Sequence, residues 1–379
     1  MNNDWITYQI DKICNVEYGT RVVKRKDGGT IYPVYGGGGA TFFMDIYNRK
    51  DRLTIARFAM SEQCVRFVDG KFFLNDSGIT LSPKDNKKID QRFLDYQCLS
   101  MNNLIYSLAK GSAQKNLDVP AFRKLTLKFP KDLITQKKIV AKLDKIFAEI
   151  DKSIAAVEAN LINAEILFKS YLKKIFLLYG KNFKEYSIGD VCKIIGGGTP
   201  SKSNNQFYQG NIPWATVRDM NQEIIEKTQF KITNEAVTKS STNVILKNNV
   251  IIATRVGLGK ICIIKSDTAI NQDLKAVIPL DSKVLEIYYL FYWFRSIANL
   301  IIEAGRGSTV NGVKLDFIKS LKIKIPNIDI QKNIINSINN IKHNINYIIL
   351  TNNKKIIQLK LLKQSILQQA FSGKLVKAA

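Results

Sequence analysis

The chain of 379 residues contains one unit written twice. The block from Pro83 to Pro130 recurs at Pro279 to Pro326, a shift of 196 positions, and the helical run after each block recurs with a shift of 195. A period this long is typical of duplicated domains, because solenoid proteins repeat every roughly 20–50 residues. The sequence therefore predicts two similar globular domains, each followed by a helix.

Individual positions of the two copies can be matched along most of their length. The matched pairs include Tyr8 with Tyr186, Cys14 with Cys192, Gly19 with Gly197, Arg57 with Arg255, Cys64 with Cys262, Asn75 with Asn271, Tyr96 with Tyr292, Gln136 with Gln331, and Phe176 with Phe371. Because the shift changes from 178 near the start to 198 at Arg57, insertions and deletions lie between the two anchored ends of the globule.

Short apolar runs between glycine-rich turns predict strands within each globule. The predicted elements are strands at 53–58, 64–68 and 72–81 with a helix at 91–109 in the first copy, and strands at 244–254, 260–265 and 274–278 with a helix at 285–304 in the second. An alternating strand that ends at Pro130 or Pro326 closes each globule. We expect mixed α/β domains at residues 1–133 and 183–329.

The segments 134–178 and 330–379 carry apolar residues at steps of three and four, which predicts two long helices of roughly 60 Å each. Such a stripe would be exposed on an isolated helix, so we expect the two to pair. The first helix leads into the second globule and the second must turn back, which favours antiparallel pairing. The predicted fold class is α+β, with two similar mixed α/β globular domains separated by a long antiparallel two-helix coiled coil and related by a pseudo-twofold axis. The alternative is that each helix packs only on its own globule.

Charge favours a polyanionic partner. The 57 Lys and Arg residues exceed the 32 Asp and Glu residues, giving a formal net charge of +25. Nucleic acid is the first expectation and an anionic membrane surface the second, although a basic composition can also serve solubility alone. The start of the chain lacks the pattern of a secretory signal, and the densest apolar run, 287–294, is too short to cross a membrane. We expect a cytoplasmic protein.

The residues that catalysis would need are mostly missing from the sequence. There is one histidine, His343, the five cysteines stand apart from one another, and no phosphate-binding glycine motif occurs. Three Asp-x-Lys triplets, at 69–71, 85–87 and 281–283, resemble nuclease residues, but lysine is abundant throughout the chain. We predict a non-catalytic protein without a metal site or a cofactor of its own. A nuclease that uses these triplets is the remote alternative.

Loops with arginine, lysine and glycine are the candidates for DNA contact. Arginine and lysine neutralise phosphates, and arginine also reaches base edges. The predicted DNA-binding residues are Arg21, Lys24, Arg25 and Arg57 in the first copy, and Lys202, Arg218, Arg255, Lys260 and Arg306 in the second. Glycines also close ordinary turns, and surface lysines are commonly only solvated.

The whole pattern resembles the specificity (S) subunit of type I restriction-modification systems. Three motifs strengthen the resemblance: the opening signature of the second copy, Gly197 to Pro200 followed by Tyr208 and by Gly210 to Trp214; Gly307 to Thr309; and Ala370 to Leu375. The first copy departs from the opening signature, with Tyr32, Pro33 and Val34 where the second has Ile212, Pro213 and Trp214.

The resemblance implies a function and a set of partners. Two target-recognition domains would read a bipartite, asymmetric site in double-stranded DNA, with the paired helices setting the gap. Two methyltransferase (M) subunits would bind the helical regions and restriction (R) subunits would join that core. S-adenosylmethionine, ATP and Mg²⁺ would belong to those partner subunits. The alternative is a non-catalytic basic coiled-coil adaptor that binds nucleic acid or a membrane surface without sequence preference.

Overall fold

A computed structural model describes residues 5–179, 183–306 and 312–372 of the chain. The contacts between Cα atoms divide the chain into two units. Unit 1 comprises the described residues up to Glu158 together with those from Asn353 onward, and unit 2 comprises those from Ala159 to Asn352. Each unit therefore contains one globule and a part of each long helix.

The globule of unit 1 mixes short strands and helices. Its strands are β1 (Trp5–Gln9), β2 (Cys14–Tyr18), β3 (Tyr32–Gly36), β4 (Gly39–Met44), β5 (Arg49–Ala56), β6 (Val65–Leu74), β7 (Gly78–Pro83), β8 (Ala109–Lys110), β9 (Asn116–Leu117) and β10 (Thr126–Pro130). Its helices are α1 (Ile10–Ile13), α2 (Lys24–Asp27), α3 (Gln91–Ser100), α4 (Asn102–Ser107) and α5 (Val119–Lys124), and the long helix α6 (Leu133–Tyr179) follows.

The globule of unit 2 contains the same plan with more breaks. Its strands are β11 (Glu185–Ser187), β12 (Cys192–Gly196), β13 (Ile212–Ala215), β14 (Ile224–Ile225), β15 (Phe230–Ile232), β16 (Asn243–Ile245), β17 (Val250–Ala253), β18 (Ile261–Ile264), β19 (Thr268–Ile270), β20 (Leu274–Pro279) and β21 (Lys322–Lys324). Its helices are α7 (Ile188–Val191), α8 (Asn234–Thr238), α9 (Ile287–Ser296), α10 (Ala298–Arg306) and α11 (Leu315–Ser320), followed by the long helix α12 (Ile328–Phe371).

The sheets of the two units share one strand order. Unit 1 has a six-stranded sheet, β2-β7-β5-β6-β3-β4, and unit 2 has β12-β20-β17-β18 in one sheet and β19-β13-β15 within another. The long strand β6 of unit 1 corresponds to the separate strands β18 and β19 of unit 2, since β3 pairs in parallel with the end of β6 and β13 pairs in parallel with β19. In both units the opening strand pairs antiparallel with the closing strand, β1 with β10 and β11 with β21.

Each unit has a core in which sheet, globular helices and both long helices meet. In unit 1, Leu143 and Phe147 of α6 pack in one cluster with Leu367 and Ala370 of α12. In unit 2 the corresponding cluster contains residues from the later part of α6 and the earlier part of α12: Ala164, Phe168, Leu172, Ile175, Ile334, Ile338 and Ile345. Early α6 thus packs with late α12, and late α6 with early α12, which is the order of an antiparallel pair. The prediction of two mixed α/β globules joined by a long helix is confirmed.

An aromatic pair marks where a long helix ends against each globule. Phe371 of α12 meets Phe93 in unit 1, with ring centroids 5.2 Å apart, and Phe176 of α6 meets Tyr289 in unit 2, also at 5.2 Å. These four residues are matched positions of the repeat. The duplication therefore extends from the sequence to the packing of the helix ends.

Four predicted elements are each divided in the structure. The expected strand 72–81 is interrupted after Leu74, because the side chain of Asn75 accepts hydrogen bonds from the N–H and the hydroxyl of Ser77 and turns the chain. The expected strand 244–254 is divided at Asn248, which has a positive φ of 62°. The helices predicted at 91–109 and 285–304 are each two helices, α3 with α4 and α9 with α10.

The matches of Arg57 with Arg255 and of Cys64 with Cys262 are wrong. The N–H of Arg57 donates to the carbonyl oxygen of Ser77 at 2.7 Å. In unit 2 the N–H of Thr254 donates to the carbonyl oxygen of Asp273 at 2.8 Å. Arg57 therefore corresponds to Thr254. The carbonyl of Cys64 accepts from Ala56, as that of Lys260 accepts from Ala253, so Cys64 corresponds to Lys260. Residue identities coincide one or two positions away from the backbone pairing because the loops between these strands differ in length.

Candidate nucleic-acid interface

Unit 2 has a surface cleft of about 500 Å³ on its globule. Two of the predicted cations, Lys202 and Arg218, lie on its wall. The cleft is lined by Thr199, Lys202, Tyr208, Trp214, Thr216, Val217, Arg218, Phe230, Val256, Asn271, Gln272 and Asp273. The fold thus brings together positively charged, amide and aromatic side chains from segments that are far apart in the sequence.

Aromatic rings form one side of this cleft. Trp214 lies 5.8 Å from Tyr208 and 6.4 Å from Phe230, measured between ring centroids. The indole N–H of Trp214 donates to the carbonyl of Gly198 at 3.2 Å, and the Tyr208 hydroxyl donates to the carbonyl of Pro200 at 2.8 Å. The rings are therefore attached to the glycine-rich segment that opens the domain. These aromatic residues are not among the predicted DNA-binding residues, although Tyr208 and Trp214 belong to the opening signature.

The loop that carries Arg218 is held in one conformation. The Thr216 hydroxyl accepts from the N–H of Arg218, and the Asp219 carboxylate accepts from the N–H of Thr216 at 2.7 Å, which forms a capping box. The side chain of Arg218 itself is exposed. A fixed backbone with an exposed guanidinium suits contact with a phosphate or a base edge.

Arg255 and Lys260 differ in the contacts that their side chains make within the protein. Arg255 is exposed and its Nε lies 3.8 Å from Asp273, a residue of the cleft wall. The ammonium of Lys260 donates to the carbonyl of Val217 at 3.2 Å, so this side chain already supports the Arg218 loop. Arg306 ends α10, and its side chain lies outside the part of the chain that the structure describes, as do Gly307 to Thr309 and Gly373 to Leu375.

In unit 1, Arg21, Lys24 and Arg25 are exposed on and beside the single-turn helix α2. The turn is closed by Asp27, whose carboxylate accepts from the N–H of Val23 at 2.7 Å. No ion pair to these three cations occurs among the described residues. Their charge is thus available to a polyanion.

Arg57 has different surroundings from the other predicted cations. Its guanidinium carbon lies 4.2 Å from the ring centroid of Phe58 and 5.1 Å from that of Tyr18. Next to it, a Cβ added at Gly37 would overlap the carbonyl oxygen of Phe58, so the glycine loop 36–39 lies directly against this segment. Arg57, Tyr18 and the glycine loop therefore occupy one region of unit 1.

The long helices leave apolar side chains exposed. On α6 these include Ile162, Ile166 and Leu167, and on α12 Ile357, Leu361 and Leu362. Lysine is frequent on both helices, and the segment 330–379 contains no acidic residue. Surface of this kind is suited to binding other proteins.

Two of the three Asp-x-Lys triplets have an aspartate with a structural role. The carboxylates of Asp85 and Asp281 accept hydrogen bonds from the N–H groups two residues later, at 2.9 and 2.8 Å, and so cap turns. His343 is exposed on α12, and all five cysteines are buried free thiols. Within the described segments no cluster of three potential metal ligands occurs, and no helix is long and apolar enough to cross a membrane.

Comparison with known proteins places the chain among DNA specificity proteins. Residues 2–159 and 180–361 match the family model described as Type I restriction modification DNA specificity domain. The specificity subunit of the type I restriction enzyme EcoR124I/EcoR124II of Escherichia coli is 29% identical over 285 residues, which cover 71% of this chain and 68% of that protein. The MjaIX specificity subunit of Methanocaldococcus jannaschii is 28% identical over 157 residues, which cover 41% of this chain and 36% of that protein.

Two solved structures share the fold. A chain from a study of complex assembly and conformational transition in a type I R-M system aligns with a TM-score of 0.71 and 17% identity, over 99% of both chains. The HsdS subunit from Thermoanaerobacter tengcongensis aligns with a TM-score of 0.52 and 16% identity, over 99% of this chain and 98% of that one. At these identities the likeness concerns the fold alone.

Proposed function

Because this chain belongs to the family of type I restriction modification DNA specificity proteins, we propose that it is the subunit that selects the DNA sequence in a type I restriction-modification complex. Its two globules each bind one part of a bipartite, asymmetric target in double-stranded DNA. The relative that it matches over 71% of its length is named as a specificity subunit.

The proposal rests on one observation: the two copies of the domain share a framework but present different surfaces. Unit 2 offers a cleft with Lys202, Arg218 and a wall of aromatic rings. Unit 1 offers the exposed cations of α2 and the Arg57 region instead. Two different surfaces on two copies of one domain suit two different half-sites. A protein that bound nucleic acid through charge alone would have no need for this difference.

The long helices bind the other subunits of the complex. We propose that the exposed apolar residues of α6 and α12 are covered by two methyltransferase subunits, and that restriction subunits join the resulting core. The continuous helices of 47 and 44 residues also set the gap between the half-sites. Catalysis, together with S-adenosylmethionine, ATP and Mg²⁺, belongs to those partners, and the complex works in the cytoplasm.

The test is to purify the chain with the methyltransferase subunits of its own system and to sequence the methylated bases in DNA treated with the complex. We expect methylated adenines within one two-part sequence that has a constant gap. The double variant Lys202→Ala with Arg218→Ala should lower methylation of that sequence at least tenfold, since two cations of one surface are lost. The matched control is Lys247→Ala with Lys265→Ala, which removes two exposed lysines of unit 2 that are not part of the cleft wall.

Two outcomes would contradict the proposal. Methylation or binding that is indifferent to sequence would favour the basic adaptor. DNA cleavage by the purified chain alone, dependent on a metal ion and lost in Asp69→Ala, would favour the nuclease.

A further inference from the structure

We propose that Arg57, which contacts the rings of Tyr18 and Phe58, recognises a guanine in the half-site bound by unit 1. The inference rests on the proposed function, because it assumes that unit 1 reads duplex DNA. It names the residue that contacts the base, the base that is recognised, and the half of the target in which that base lies.

The first support is the surroundings of the side chain. The guanidinium of Arg57 is within stacking distance of Phe58, at 4.2 Å, and close to Tyr18, at 5.1 Å. Both rings are substantially exposed, Tyr18 by 42% and Phe58 by 37%. A guanidinium beside aromatic rings keeps its planar fork of N–H donors in a restricted orientation. The three side chains thus form a surface group that presents donors between apolar faces.

The backbone beneath this group is firmly held. The N–H of Arg57 donates to the carbonyl of Ser77 at 2.7 Å, and its carbonyl accepts from the N–H of Leu117 at 2.8 Å. The N–H of Ala59 donates to the side chain of Asn116 at 3.2 Å. A side chain that reads a base must be positioned by its support before the ligand arrives, and this segment is bonded on both sides.

The second support is that the donors of Arg57 are unused. Four of the five other partly buried arginines of unit 1 donate hydrogen bonds to the protein, Arg123 being the exception: Arg49, Arg52, Arg66 and Arg92. The guanidinium of Arg57 donates to no described residue, and its Nε is buried without a partner. Leaving a charged donor group unsatisfied in the free protein is unfavourable, which is accounted for when a ligand supplies the acceptors.

The paired N–H donors of the Arg57 guanidinium favour guanine over the other bases. The major-groove edge of guanine offers two adjacent acceptors, O6 and N7, which match two N–H groups of one guanidinium. Adenine replaces O6 by an amino donor, so the same pair cannot form. The exposed rings of Tyr18 and Phe58 fit beside the apolar parts of neighbouring bases better than beside phosphates, which favours a base contact over a backbone contact.

The matched position in unit 2 shows why the contact belongs to one half-site. Thr254 stands where unit 1 has Arg57, and its side chain is buried and donates to the carbonyl of Asp273 at 3.2 Å. Unit 2 therefore has no equivalent fork at this point of the framework, and its half-site is read by other side chains.

The experiment uses the complex of the chain with its methyltransferase subunits and a pool of duplexes randomised at every position. Selected DNA is sequenced for the wild type, for Arg57→Lys, for Phe58→Leu and for the control Tyr18→Phe, which keeps the ring. In Arg57→Lys the positive charge remains but the planar fork is lost. We expect a guanine in one half-site to lose its preference by about tenfold to a hundredfold, the discrimination typical of one bidentate pair. Phe58→Leu should weaken the same preference, and Tyr18→Phe should leave it unchanged.

Each outcome separates the inference from the proposed function. If the wild type selects no two-part sequence, the proposed function itself fails. If the wild type selects one and Arg57→Lys selects the same one, with unchanged preference at every position, the inference is wrong while the function stands. A uniform loss of affinity without a change of sequence would assign Arg57 to a phosphate and would also overturn the inference. Melting temperatures of all variants within about 2 °C of the wild type show that the fold is kept.

Discussion

Unit 1 and unit 2 fasten a long helix to the globule with the same buried amide. Gln136 donates to the carbonyls of Lys88 and Pro130, at 3.0 and 2.8 Å, and accepts from the N–H of Asp90 at 2.9 Å. Gln331 makes the matching bonds to Val284, Pro326 and Glu286, at 2.7, 2.8 and 2.9 Å.

The packing beneath the candidate DNA-contacting surfaces differs between the two units. Val34 and Trp214 occupy matched positions. The carbonyl of the residue after Val34 accepts from the N–H of Asn75, and the carbonyl of the residue after Trp214 accepts from the N–H of Asn271. Val34 is a small aliphatic residue, whereas Trp214 carries an indole. Arg57 is matched with the buried Thr254. The framework keeps side chains whose loss would leave buried backbone groups without a partner, whereas the packing beneath the candidate surface differs together with the side chains around it. Function by two-part recognition requires this combination.

The largest effect should come from exchanging the residues that distinguish the two surfaces. Trp214 is 6% exposed and contacts two rings, so Trp214→Val leaves a cavity and the carbonyl of Gly198 without its indole partner. We expect unit 2 to lose about 3–4 kcal/mol of unfolding free energy. Hydrogen exchange measured by mass spectrometry reads the two units separately, and protection should fall in unit 2 alone.

The reciprocal variant, Val34→Trp, sharpens the same comparison. Val34 is fully buried beside Met44 and Phe73, so an indole overpacks this cluster and should cost unit 1 about 3 kcal/mol or more. Val34→Ile is the mild control. If both exchanges were tolerated within about 0.5 kcal/mol, the two packing sites would be interchangeable and the two units would not differ at this point.

A smaller and equal effect is expected from the amide that the units share. Gln136→Leu and Gln331→Leu each leave two carbonyls and one N–H in the interior without a partner, at about 2–3 kcal/mol. Urea unfolding followed by hydrogen exchange should show a loss in unit 1 for the first variant and in unit 2 for the second. Gln368→Leu, at an exposed position of α12, should stay within about 0.5 kcal/mol of the wild type. Losses that differ by more than about 1 kcal/mol between the two units would contradict their equivalence.

Much of the framework could be predicted from the sequence because packing repeats with the chain. The match of Gln136 with Gln331 and of Phe176 with Phe371 was visible as a constant shift, and the structure gives these residues equivalent contacts. The periodic apolar stripe predicted both long helices. Such signals persist because a buried position tolerates few residue types.

The candidate surface was less predictable, for a physical reason. Between the anchored ends the loops differ in length, so residue identity alone paired Arg57 with Arg255 although the hydrogen bonds pair it with Thr254. Phe230 joins Trp214 through a strand pairing that no local pattern encodes. The aromatic wall and the unpaired guanidinium depend on which strands meet, and this is a property of the tertiary fold.

The smallest effect concerns a core position at which the units differ in charge. Asp95 in α3 is 4% exposed, and the matched residue in α9 is Phe291. Burial raises the pKa of Asp95 to about 6, against lowering by the hydrogen bond from Gln91 and by the charges of Arg52 and Arg92, while Asp90 raises it slightly. Unit 1 therefore contains a carboxyl group that ionises at a higher pH in the folded than in the unfolded state.

The sign of the pH dependence follows from that raised pKa. Below about pH 4 the group is protonated in both states and has no effect on stability. Between about pH 4 and pH 6 the unfolded chain releases the proton first, so unit 1 loses stability as the pH rises, and above about pH 6 the loss is constant. Asp95→Asn removes this loss. Because the raised pKa already includes the attraction to Arg52 and Arg92, we expect a net gain of about 2 kcal/mol in unit 1 at pH 8 relative to pH 4. The difference in urea midpoint between variant and wild type measures it, and an equal difference at both pH values would show that the pKa of Asp95 is not raised in the folded protein.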